Sequence, residues 1–358
     1  MKNRLRIVYL DVLRVLAVIA VIFIHTSAQH WGEKEIPYMT WLFLNLWDCC
    51  VQWAVPVFIM ISGAVFLSKD HSVNIRILYT GNIKRIIIAY LTWSFIYSIY
   101  QVWHEGGGFL RVLALTLDGH YHLWFLFMIT SLYILTPLLR KLSDEDMKYL
   151  IKVAFVLCFA VPTLVRLKDA FLMISENDML NKVVSQIFSP YMIFMKYIKI
   201  DYISYYILGH FLHETTFDKK QMNRIYFLAA VSLIFTVGFS SVITLLGKEP
   251  YGIFDIFTLN MLMVSVGVFV FIKQHCSRES SILSDRKVRA IGFLSSCTFG
   301  IYLVHAMILE IIKNEFGIDS LSFPAYISVP VIGCFVFLIS LGITVIIKKI
   351  PVLNRYMV

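Results

Sequence analysis

Charge is scarce in this sequence. Of its 358 residues, 15% are Asp, Glu, Lys or Arg and 59% are hydrophobic, and the mean hydropathy is +0.75. A water-soluble globular chain clothes its core in polar residues, so this balance excludes one and describes a chain whose surface faces lipid. Cysteines in paired metal-ligand spacing, or in the framework of a secreted disulfide domain, are also missing. Cys49, Cys50, Cys158, Cys276, Cys297 and Cys334 lie mostly inside apolar runs, where they are expected to pack, and no metal site is expected. No stretch is long and polar enough for a separate soluble domain, which leaves one integral-membrane domain over residues 1–358. Two halves with matching interrupted helices, a pattern of many transporters, are not visible. The first apolar run has no small-residue cleavage site after it and is too long for a signal-peptide core, so it reads as a retained helix.

What the sequence does contain is apolar runs, each close to or above the roughly 18 residues that span a hydrocarbon layer of about 30 Å. Ten are read, at 7–27, 39–67, 83–103, 122–139, 149–165, 191–212, 225–246, 253–272, 291–312 and 325–347. The expected fold is therefore an all-α polytopic membrane protein of about ten transmembrane helices. Threading these runs alternately places 22 Lys and Arg residues on one side and nine on the other, with Arg14 inside a helix. Basic residues concentrate on the cytoplasmic side of membrane proteins, so both termini are expected there. The segment 166–199 carries five of the nine and breaks the trend, as a re-entrant or amphipathic piece would. The net charge of +9 is this topology signal, and no nucleic-acid partner is expected.

Ionisable residues inside a span demand explanation. An arginine near a helix centre costs about 2.5–3.5 kcal/mol on insertion scales, so Arg14 needs a partner or a wet cavity, and Asp11, three residues earlier, is the nearest partner. His25 lies eleven residues beyond Arg14. At about 100° per residue it returns to within about 20° of the arginine's direction, and the rise of about 1.5 Å per residue separates the two by about 16 Å. Asp11, Arg14 and His25 thus share one stripe with two chemical stations. For these residues alone the alternative is an arginine snorkelling to headgroups and a histidine capping its helix beside Thr26 and Ser27.

Other polar residues gather at span ends. Gly106, Gly107 and Gly108 make a bend that leads through Asp118, Gly119 and His120 into the fourth run at His122 and Trp124. On the assigned topology His122 and Trp124 sit at its outer mouth, where an aromatic belt is expected anyway and where the pair can line a sugar site. Tyr302 and His305, three apart, share a face of the ninth run, as a buried structural pair or a functional one. Lys84 and Arg85 flank the third run, as topology requires, and also suit phosphate. Ser62 beside Gly63 points to close helix packing rather than to a nucleophile.

Several segments in order resemble the membrane-bound acyltransferase 3 family. They are Tyr9-Leu-Asp-Val-Leu-Arg-Val-Leu-Ala17 with the Arg14 to His25 spacing, Val55-Pro-Val-Phe-Ile-Met-Ile-Ser-Gly63, and Lys84-Arg-Ile-Ile-Ile-Ala-Tyr90 with Ala89 in place of a frequent proline. His122-Leu-Trp-Phe-Leu126, Leu135-Thr-Pro-Leu-Leu-Arg140 and Phe299-Gly-Ile-Tyr-Leu-Val-His305 extend the likeness over nearly the whole chain. The resemblance implies transfer of an acyl group, usually acetyl from acetyl-CoA, to a hydroxyl, with Arg14 and His25 essential.

The chemistry agrees with that implication. A histidine with a pKa near about 6.5 can take a proton from a sugar hydroxyl as it attacks a thioester, which is the role expected of His25. Arg14, about 16 Å away along the helix, is too far to hold the reacting carbonyl. It is expected instead to bind the phosphate or pantetheine portion of acetyl-CoA entering from the cytoplasm, helped by Lys84 and Arg85. Asp11, His122, Trp124, Tyr302 and His305 are expected to line the cavity or acceptor site. The expected partners are membrane lipid and a glycan or lipid-linked sugar in a bacterial cytoplasmic membrane. The reading from another class is a multi-pass transporter of a lipid or polar solute, because intramembrane ionisable residues also mark permeation pathways.

Overall fold

In the computed structural model the residues described are 7–33, 35–68, 74–175, 177–197, 200–247, 255–276 and 284–356, without the side chains of 196, 197, 352, 355 and 356. Among them every regular element is helical. In chain order they are α1 (Val8–Ser27), α2 (Tyr38–Phe66, with an offset turn at Gln52 and Trp53), α3 (Ile75–Glu105), α4 (Phe109–Asp118) and α5 (Trp124–Leu139). There follow α6 (Asp144–Ile174), α7 (Asp178–Tyr197), α8 (Asp201–Glu214), α9 (Lys219–Leu245), α10 (Leu259–Cys276), α11 (Asp285–Phe316), α12 (Ala325–Lys349) and α13 (Pro351–Tyr356). Nine spans among the described residues are long and apolar enough to cross a bilayer, α4 and α5 together making one. The chain is a multi-pass membrane protein.

The expected sixth span, 191–212, is not one helix. Its residues fall on the end of α7, which stops at Tyr197, and on α8, which starts at Asp201. The 14 residues of α8 rise only about 21 Å, too little to cross a bilayer alone. Instead α8 is a wedge inside the protein, with Tyr205, Tyr206 and Ile207 fully buried, and its main neighbour is the second half of α2. Two glycines allow this contact. A Cβ on Gly63 would stand 1.7 Å from the Tyr206 carbonyl oxygen, and one on Gly209 would stand 2.0 Å from that of Met60. The reading of Ser62 and Gly63 as a packing site is met here, and Ser62 Oγ is occupied with the Phe58 carbonyl at 3.1 Å. Lys273 on α10 closes the end of α8 by donating to the carbonyls of Leu212, His213 and Thr215 at 2.6–2.8 Å.

The segment expected to be re-entrant or amphipathic contributes the end of α6 and α7, whose side chains are mostly exposed or half-buried. The glycine bend expected after the third span is followed by a helix, α4, which folds back along α3 and is tied to it by the Ser98 and Thr116 hydroxyls at 2.8 Å. Between α4 and α5 the span is broken at Gly119, whose φ of +83° favours glycine and whose absent Cβ leaves room for the Tyr90 hydroxyl. The break turns His120 and His122 inward at a point where a continuous helix would carry them past.

α1 stands at the middle of the bundle, against α2, α10, α11 and α12. Its apolar positions Leu13, Ala17, Val18 and Ile22 are fully buried, so its polar residues are held against protein rather than lipid.

Candidate active site

A cavity of about 440 Å³ runs beside α1. Arg14, Arg85 and Asn82 line it toward the end of the bundle where α1, α3 and α11 begin, and His25, His122 and Trp124 line it further along. Tyr302, Phe299 and Tyr133 lie on its walls. Two of the three residues of the stripe read from the 3.6-residue period, Arg14 and His25, therefore face a real cavity, and the two stations of α1 open on the same space.

At the basic end, Asp11 Oδ1 accepts from Arg14 Nη1 at 3.1 Å and from the Ser295 hydroxyl at 2.6 Å. Asp11 is buried behind the arginine and does not line the cavity, so its part is to hold Arg14 in place. Arg85 reaches the cavity with its guanidinium 5.3 Å from the centre of the Phe299 ring, a cation–π contact. Lys84 is exposed one position earlier and is not among the lining residues. Of the three expected donor-binding residues the structure thus brings two together.

At the other end, His25 is one of five rings that close a circle. Going round, the centroid distances are 5.3 Å from His25 to Tyr121, 4.5 Å to His120, 5.0 Å to His122, 5.3 Å to His305, and 5.2 Å back to His25. α11 holds this circle. The Tyr302 hydroxyl donates to the His122 carbonyl, and the Tyr302 carbonyl accepts from His305 Nδ1 at 2.6 Å. Tyr97 of α3 stacks on His120 at 4.1 Å while its own hydroxyl bridges the Leu303 carbonyl and the Met307 N–H, both at 2.9 Å. His305 stands behind the wall, fully buried, rather than on it. Trp124 faces the cavity and packs against Tyr202 at 5.9 Å.

Two residues that the sequence does not mark as site residues belong to this cluster. His120 shares a hydrogen bond with His122, Nδ1 to Nδ1 at 2.8 Å, and its Nε2 meets Glu310 Oε1 at 2.8 Å. Glu310 is an acid inside the ninth apolar run, and that was the available signal, because a carboxylate within a span marks an interior or wet site. His120 was seen only as part of a bend, and its approach to the cluster depends on the break at Gly119. Among the described residues no three His, Cys, Asp or Glu side chains converge as metal ligands.

Fold and site together define a polytopic membrane protein with a buried, histidine-walled cavity that opens onto arginines at one end. The acyltransferase 3 family model, described as an acyltransferase domain, matches residues 7–349, and the chain belongs to that family. It is a membrane-embedded acyltransferase. No curated protein and no solved structure is matched.

Proposed function

We propose that this enzyme transfers an acetyl group from acetyl-CoA to a hydroxyl of a cell-surface glycan or its lipid-linked precursor, in a bacterial cytoplasmic membrane. The observation that supports this most is the single cavity joining Arg14 and Arg85 to His25. Its basic end suits the phosphates of the donor, since guanidinium groups bind phosphate in a planar, bidentate way. With the N-terminus in the cytoplasm, as the basic residues argue, that end receives donor from the cytoplasm. The apolar middle of the cavity, with Val21, Val55, Phe58 and Ile129, suits a pantetheine arm and excludes bulk water from the thioester.

In this reading the acceptor hydroxyl meets the thioester carbonyl beside His25. His25 takes the hydroxyl proton as the oxygen forms its bond to the acyl carbon. The C–S bond then breaks, its electron pair leaves with the sulfur, and the proton ends on the thiol. Arg14 acts on the donor's distal part, not on the carbonyl.

The test is acetyl transfer from labelled acetyl-CoA by membranes holding the chain, compared with His25→Ala and Arg14→Ala at equal protein level. His25→Ala is expected to lose about 100-fold or more in rate, the scale of a missing general base. Undiminished transfer by both variants sinks the proposal.

A further inference from the structure

The Glu310, His120 and His122 chain lies between two cavities. His122 lines the reaction cavity, whereas His120 and Glu310 line a second cavity of about 560 Å³, which Ser94, Tyr100, Gln101 and Asn314 also border. With His120 neutral, the hydrogen bonds run in one direction. A carboxylate only accepts, so Glu310 takes the Nε2–H of His120. Neutral His120 then has a bare Nδ1, which accepts from His122 Nδ1–H. His122 is left with a lone pair on Nε2, and that buried atom has no hydrogen-bond partner among the described residues. A buried acceptor without a partner is costly, and here it sits on a residue that opens on the reaction cavity.

We infer that Glu310, His120 and His122 form a proton store for the transfer reaction, an inference that rests on the role proposed for His25. After His25 takes the hydroxyl proton, the proton passes to His122 Nε2, on a residue that lines the same cavity. The Nδ1 proton of His122 shifts to His120 Nδ1, and the Nε2 proton of His120 shifts to Glu310, which becomes a neutral carboxylic acid. As the C–S bond breaks with its electron pair on sulfur, the reverse shifts deliver a proton from His122 Nε2 to the thiolate. Ester and thiol form, and the chain returns to its starting tautomers with no net gain or loss of protons.

The physical advantage lies in where the charge goes. An imidazolium left on His25 would lie against the rings of His305 and Tyr121, with no carboxylate in contact among these neighbours. With the store, the negative charge of Glu310 is exchanged for the negative charge of the tetrahedral intermediate, so the net charge of the site is unchanged and no cation is left on His25. His120 and His122 touch no distal part of the donor, so they affect turnover rather than donor binding.

The experiment uses the full chain in membranes with labelled acetyl-CoA. His120→Ala removes the middle imidazole beside the second cavity, through which free imidazole can enter. Transfer is expected to fall about 100-fold, as for loss of an acid–base group, with the KM for acetyl-CoA unchanged and with saturable recovery on adding imidazole. Glu310→Gln keeps the size and a hydrogen bond to His120 and cannot take the proton, so kcat is expected to fall at unchanged KM while Glu310→Asp recovers part of it. Full transfer by Glu310→Gln, or a loss in His120→Ala that imidazole never relieves, overturns the store. If His25→Ala is inactive while His120→Ala and Glu310→Gln work normally, the store alone fails. Absence of acetyl transfer by the unaltered chain removes the proposed function itself.

Discussion

α9 and α11 are both membrane spans, yet their burial is opposite. The best span window of α9 has a mean hydropathy of 2.1 and is 17% buried in protein, whereas that of α11 has 1.6 and is 67% buried. The more apolar helix is on the outside. In lipid there is no water to drive apolar side chains inward, so polar groups seek the interior, where other protein groups satisfy them. α11 illustrates this with Ser295, Thr298, Tyr302, His305 and Glu310, each bonded to α1, to the break between α4 and α5, or to its own backbone. α9 exposes Phe227, Ile234 and Leu245 instead. Within a span, polarity rather than hydropathy locates the site.

The largest way to break this contrast is on activity. Arg14→Ala leaves Asp11 buried with only Ser295 of the two partners described here, and removes a guanidinium from the cavity. The expected result is a rise in the KM for acetyl-CoA of about tenfold or more, the scale of a lost charge-assisted contact, measured in the membrane transfer assay. No substitution of lipid-facing α9 residues is expected to move that KM. Equal effects at both places would erase the distinction between interior and rim.

Packing should show the same contrast on a smaller scale. Gly209→Ala pushes a methyl into the Met60 backbone, and Ala306→Leu on α11 adds volume at a position with no exposure. Each is expected to destabilise the protein by about 1–3 kcal/mol, read as a lower unfolding temperature in detergent. Phe227→Leu on α9, at a side chain 68% exposed, should stay within about 0.5 kcal/mol. Removing the α8 clamp with Lys273→Met falls between these, at about 1 kcal/mol.

How much of this was legible depended on distance along the chain. The stripe of Asp11, Arg14 and His25 followed from helix period alone, because all three lie on one uninterrupted helix. Tyr302 and His305 were visible for the same reason. The pairing of His120 with Glu310 joins residues 190 positions apart through a helix break, and no local period encodes it. The division of the sixth run into α7 and α8 was hidden because residues 191–212, taken as one helix, are long enough for a span, whereas α8 alone is too short for one. Its burial comes from Gly63 and Gly209, whose meeting is a tertiary fact. Lys84 and Arg85 looked equivalent in sequence, and one residue of helix rotation separates them.

The smallest expected effect lies outside the membrane, where the loop after α11 is latched to the loop after α1. Asp319 Oδ2 meets His30 Nε2 at 2.9 Å, His30 Nδ1 meets Glu33 at 2.7 Å, and the Ser320 N–H donates to the Gln29 side chain at 3.0 Å. Partial burial pushes the Asp319 carboxyl up, but the Leu321 N–H and His30 outweigh it and hold it below the ordinary carboxylate range. A lowered pKa in the folded state means that Asp319 stabilises the latch fully above its ordinary value of about 3.9 and loses that contribution as pH falls through the lower folded value. Hydrogen exchange in 317–324 should therefore speed up on acidification by a factor of about two to five beyond the intrinsic change, the measure of a surface ion pair. Asp319→Asn should show the faster exchange already at neutral pH and no further gain in acid. The bilayer-embedded middles of α9 and α11, compared in the same experiment, should show no such step, because the loop carboxylate that caps α9, Asp218, holds only its first turn.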